Sequence, residues 1–77
     1  MLELNLRKVD AMNFCNKLSK FKSNFDIHNK RMVIDGKSII GLYALDYSSP
    51  IYMECILSSD ENLDYIKENL KEYLKND

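Results

Sequence analysis

Few residues in this chain are of a type that does chemistry. It has one histidine, His28, and two cysteines, Cys15 and Cys55. A metal site needs several convergent ligands and acid–base catalysis a second positioned group, so His28 alone supplies neither and reads as a surface or sheet-edge residue. Both cysteines fall inside apolar patterns, where a free thiol behaves as a small hydrophobe, and they read as reduced core thiols. A glycine-rich phosphate loop, a C-x-x-C pair and a Ser/His/Asp set are all missing. These residue types point to no enzyme, with no cofactor, metal or small-molecule substrate expected. Ser38 is of more interest, because it stands between Lys37 and the run Ile39-Ile40-Gly41-Leu42-Tyr43-Ala44-Leu45. At the start of a short helix its hydroxyl suits an N-cap, and the same unpaired N–H groups and helix dipole would stabilise an added phosphate.

The elements that must position Ser38 follow from apolar spacing. Leu2, Leu4 and Leu6 alternate with Glu3, Asn5 and Arg7, the pattern of a strand with one buried face. Ala11, Phe14, Cys15, Leu18 and Phe21 then follow at spacings of three and four, predicting a helix from about Asp10 to Lys22 with Asp10 as its cap. Phe25 and Ile27, then Met32-Val33-Ile34, predict a hairpin, with Asn29 the candidate for a left-handed turn residue. Asp35-Gly36 breaks that strand, Ile39 to Leu45 allows about two helical turns, and Tyr47 to Pro50 is a loop. Ile51 to Leu57 is fairly apolar on both faces, which suits a central strand. Ser58 and Glu61 have the spacing of a capping box ahead of a last helix with a stripe of Leu63, Ile66, Leu70, Tyr73 and Leu74. Asp64/Lys67, Glu68/Lys71 and Glu72/Lys75 are spaced to pair on its solvated side.

The order is βαββαβα. A right-handed strand–helix–strand crossover leaves a gap beside the first strand that the last strand can fill. The expected fold is therefore an α+β open-faced sandwich, a four-stranded antiparallel sheet with three helices on one face. With 77 residues there is room for one core, so residues 1–77 form a single domain. Eleven basic against twelve acidic residues leave a net charge of −1, which provides no positive field for nucleic acid or an anionic membrane. Lys17, Lys20 and Lys22 form only a local strip with the character of a solvated face. The longest apolar run is far short of the roughly 20 residues that span a bilayer, and the first residues lack a secretory pattern, so a cytoplasmic location is expected.

Leu18-Ser19-Lys20-Phe21 and Lys37-Ser38-Ile39-Ile40-Gly41-Leu42-Tyr43-Ala44-Leu45 resemble blocks of HPr, the histidine-containing phosphocarrier family of the bacterial sugar phosphotransferase system, namely its A-S-K-F and K-S-I-M-G-V-M-S-L. From Ser19 to about Asp60 the family pattern runs without insertion or deletion. The likeness fails at the amino-terminal loop that carries the family's phosphate-accepting histidine. Counted back from Ser19, that histidine's place falls on Arg7, the family's arginine on Val9 and its proline on Asp10. Arginine stays protonated and has no lone pair to offer, so the resemblance argues for the fold and against phosphocarrier activity.

In Gram-positive HPr proteins the serine of the second block is phosphorylated by an ATP-dependent kinase, and the product binds a transcriptional regulator. The resemblance carries that role to Ser38, beside the plain reading of Ser38 as an N-cap, with which it is compatible. Ile39, Ile40 and Tyr43 match the family's docking positions and, with Lys37 beside them, imply a protein partner, a kinase or a transcriptional regulator, on this helix. The alternative is that these apolar side chains simply fill the core. A non-catalytic regulatory or adaptor module is therefore expected; the alternatives are a phosphocarrier with an atypical acceptor and an HPr-fold scaffold with an unrelated binding role.

Overall fold

The computed structural model describes residues 1–75. Its elements are β1 (Leu2–Glu3), α1 (Ala11–Leu18), β2 (Asn24–Asn29), β3 (Met32–Asp35), α2 (Ile39–Tyr43), β4 (Ile51–Ile56) and α3 (Leu63–Leu70), with 3-10 turns at Lys8–Asp10 and Lys71–Tyr73. The four strands form one antiparallel sheet in the order β1-β4-β2-β3. β4 thus fills the gap between β1 and β2, as the connection rules require. This is an α+β open-faced sandwich. Phe25 and Ile27 of β2 and Ile51 and Met53 of β4 are buried with Phe14, Leu18, Leu42, Ile66 and Leu70 from the helices. The alternate residues Asp26, His28, Tyr52, Glu54 and Ile56 lie on the open face. There the His28 imidazole meets Glu54 Oε1 at 3.3 Å. Both cysteines are free, Cys15 buried and Cys55 half-buried.

Several local expectations give way to tertiary partners. β1 is shorter than the Leu2–Leu6 alternation, because residues 3–5 are shared between β4 and the carboxyl-terminal segment: Leu4 N donates to Ile51 O, Asn5 N to Tyr73 O and Lys75 N to Glu3 O. Asp10 does not cap α1. Its carboxylate instead accepts from Arg7 N and the Arg7 guanidinium at 3.2–3.3 Å, because the preceding 3-10 turn makes Arg7 the first residue with free donors. α1 ends at Leu18 and not Lys22, since the next N–H groups tighten onto i−3 carbonyls, Lys20 N to Lys17 O and Phe21 N to Leu18 O. Phe21 still packs in the core.

The left-handed hairpin residue is Lys30, with φ 55°, and not Asn29. Asn29 is paired in the strand and buried, where its amide donates to Asp46 O and Pro50 O at 3.1 Å each and accepts from Asp46 N at 2.8 Å. Ser58 and Glu61 do not form a capping box, and α3 begins at Leu63 with Asn62 Oδ1 accepting from Tyr65 N. Glu61 is drawn to the loop after α1, accepting from Lys22 N, Ser23 N and Ser23 Oγ at 2.6–3.0 Å. The later start leaves Leu63 exposed. Of the three expected pairs on the last helix only Glu68–Lys71 is among the ion pairs; Glu72 meets Lys17 and Lys75 meets Glu3. With Lys22 on Asp60, two of the three lysines in the basic strip are occupied by acids. Among the described residues no helix is long and apolar enough to cross a membrane.

Replacing Asn29 by alanine strands a buried N–H and two carbonyls of the α2–β4 loop, so Asn29→Ala should lower unfolding free energy by about 2–3 kcal/mol in urea titration. Ser23 chiefly holds the Glu61 carboxyl below its ordinary range, and Lys30, with Ser48, does the same for Asp46. Groups lowered on folding stabilise fully above the ordinary carboxylate range, and that contribution is lost as pH falls through their folded values. The urea midpoint should therefore drop below about pH 4, and Glu61→Gln should shrink that drop.

Candidate functional site

The segment singled out by sequence is a single short helix fixed at both ends. Ser38 has extended backbone, and its Oγ accepts from Gly41 N at 3.2 Å, so it is the N-cap of α2. At the other end the half-buried Tyr47 hydroxyl donates to Leu42 O at 2.7 Å, and burial raises its pKa. In between, Gly41 lets α2 lie directly on β3: a Cβ there would meet Ile34 Cβ and Cδ1 at 3.2 Å. The incoming loop is pressed just as closely. A Cβ on Gly36 would stand 2.7 Å from Leu18 Cδ1 and 3.1 Å from Phe25 Cβ. Downstream, Asp46 anchors the loop after α2 through Ser48, Ser49 and the Lys30 ammonium, the last at 2.6 Å.

This framework sorts the five sequence candidates. Leu42 enters the core and Ile39 is partly buried against it. Ile40 is 81% exposed and Tyr43 is 44% exposed, so the outward face of α2 presents two large apolar side chains. Lys37 is not free beside the Ser38 hydroxyl: its ammonium donates to Phe21 O at 2.7 Å and lies over the Phe25 ring. It ties the turn after α1 to the start of α2. Val9 and Met12, at the entry to α1, are exposed as well. Sequence reasoning passed over them, although their place off the Ala11–Phe14–Cys15–Leu18 stripe was a usable signal.

The entry to α1 carries a closed ion pair. Arg7 and Asp10 hold each other, the hydrogen bond raising the arginine's pKa and lowering the carboxyl's. His28 lies across the sheet from the helices, on the open face. Among the described residues no three His, Cys, Asp or Glu side chains are grouped to hold a metal ion.

Loss of the Ser38 cap should be modest in cost. Ser38→Ala is expected to lower unfolding free energy by about 1 kcal/mol in urea titration, with the sheet's far-ultraviolet signature retained.

Comparison with family models, with curated proteins and with solved structures finds no match to this chain.

Proposed function

We propose that this chain is a non-catalytic, HPr-like regulatory or adaptor domain of the cytoplasm, in which α2 is the docking element for a protein partner and Ser38 a phosphorylation switch. The observation that carries this reading is the exposure of Ile40 and Tyr43 on a helix held rigidly at both ends. Exposed apolar side chains with a polar surround are what a partner surface offers, and a fixed helix presents them with little ordering cost on binding. Support for the family assignment comes from the K-S-I-x-G-L block together with the β1-β4-β2-β3 order that its fold implies. Gly41 of that block has a physical role here, the close approach of α2 to Ile34.

Phosphorylation would replace a hydroxyl hydrogen bond to Gly41 N with a dianion at the start of α2, where the free N–H groups of the first turn favour negative charge. It would place that charge next to Ile39 and Ile40 and alter what the apolar face can bind. The phosphocarrier alternative is weakened by the Arg7–Asp10 pair where the family has its acceptor, and by the position of His28 on the open face.

The test is incubation with an extract of its own host and either ATP or phosphoenolpyruvate, read by intact mass with Ser38→Ala alongside. One ATP-dependent phosphoryl group, absent from Ser38→Ala, is expected; a phosphoenolpyruvate-dependent group would favour a phosphocarrier instead. Separately, Tyr43→Asp and Ile40→Asp should abolish capture of the partner with the thermal midpoint nearly unchanged. Loss of folding in Tyr43→Asp would make Tyr43 a core residue and remove the docking face.

A further inference from the structure

The two edges of the sheet are treated differently. At the β1 edge the chain covers itself: Asn5 N donates to Tyr73 O and Lys75 N to Glu3 O, so residues 73–75 lie along it. At the β3 edge nothing among the described residues plays that part. The register pairs Asp26 with Asp35, Ile27 with Ile34, His28 with Val33 and Asn29 with Met32. Gly36 N donates to Phe25 O, which makes Phe25 and Gly36 a hydrogen-bonded pair; alternation along the antiparallel ladder then turns the backbone N–H and C=O of Val33 and Asp35 outward. Among the described residues only Asp35 O of these groups finds a backbone partner, Ser38 N. Val33 is 58% exposed.

The side chains on this edge are self-complementary. Val33 and Asp35 alternate onto the open face, and Arg31 stands in the tight turn that leads into β3, so one basic and one acidic residue lie two positions either side of Val33. Arg31 takes part in no ion pair among the described residues. Asp35 directly faces Asp26, which in turn faces Glu54 on β4, so acids stand side by side across three strands. Like charges directly opposite are unfavourable, and a cation delivered to this edge would relieve them.

We propose that a second copy of this chain docks antiparallel on the β3 edge, with the two-fold axis through Val33, joining the two sheets into one. In that register Val33 of each copy exchanges N–H···O=C bonds with Val33 of the other, and the turn that carries Arg31 of each copy comes level with Asp35 of the other, twice by symmetry. The ladder is short, and its area falls well below the roughly 1,600 Å² of a standard interface, so association is reversible and concentration-dependent. The proposal is independent of the α2 docking function.

Sedimentation over a concentration series up to about 1 mM, the weak end of specific association, reads it directly. The wild type should move from the chain mass toward twice that mass. Arg31→Glu and Asp35→Arg each oppose like charges across the axis, and each alone should remain at the chain mass. Mixed in equal amounts they restore both opposite-charge contacts, and the mixture should regain the dimer. Val33→Pro removes the outward N–H at an edge where proline is tolerated, and should abolish association with a thermal midpoint close to that of the wild type. A wild type that stays at the chain mass overturns the proposal. So does a dimer that survives Val33→Pro, or single charge variants whose mixture fails to associate.

Discussion

The buried amide of Asn29 is the interaction on which the candidate site depends. Its three hydrogen bonds to the backbone of Asp46 and Pro50 tie the end of β2 to the loop that leaves α2 and enters β4. A buried amide without partners is costly, so the loop has one low-energy position relative to the sheet. The Lys30–Asp46 ion pair reinforces the same join from the solvent side. With that loop fixed, Tyr47 reaches Leu42 O, Ser38 caps the other end of α2, and the apolar face of the helix is held outward.

Close approach does the rest. Gly36 and Gly41 are the chain's two glycines, and both stand where a side chain would strike a neighbour: Gly36 between Leu18, Phe25 and Ile27, Gly41 against Ile34. Neither has a positive φ. Their purpose is space, and it brings the β3–α2 connection down onto the sheet and α2 onto β3. A five-residue helix has little stability of its own, so this packing and its two end bonds are what make it a defined element.

The same preference for tertiary over local partners recurs in the charged network. Glu61, spaced to serve its own helix, instead satisfies two loop N–H groups at Lys22 and Ser23, while Asn62 takes over the cap. Ser23 Oγ passes the connection on by accepting from Ser58 N. Buried Ser23 thereby joins the α1–β2 loop to the β4–α3 loop. Lys17 and Lys75, readable as partners within solvated helix faces, reach acids more than fifty residues away in sequence. Exposed pairs of this kind contribute little stability each, but they fix which acid remains free for its helix neighbour.

What the sequence by itself determined is the kind and order of the elements, the identity of the buried stripe in α1, the central place of β4, and the cap at Ser38. These follow from apolar period and from a hydroxyl at a helix start, which are local properties. Tertiary structure alone decided which of several competent polar groups meets which. Asn29 could have served as the turn residue, Asp10 and Glu61 as caps, and Lys37 as a neighbour of the Ser38 hydroxyl. Asp10 was taken by its neighbour Arg7, and the others by backbone groups brought near by the fold, because a loop N–H or carbonyl withdrawn from water must find a partner and sequence spacing does not record which one arrives. In α2, helical spacing with Leu42 turned to the core already leaves Ile40 and Tyr43 outward, whereas the half-burial of Ile39 was decided only by the direction from which the sheet approaches.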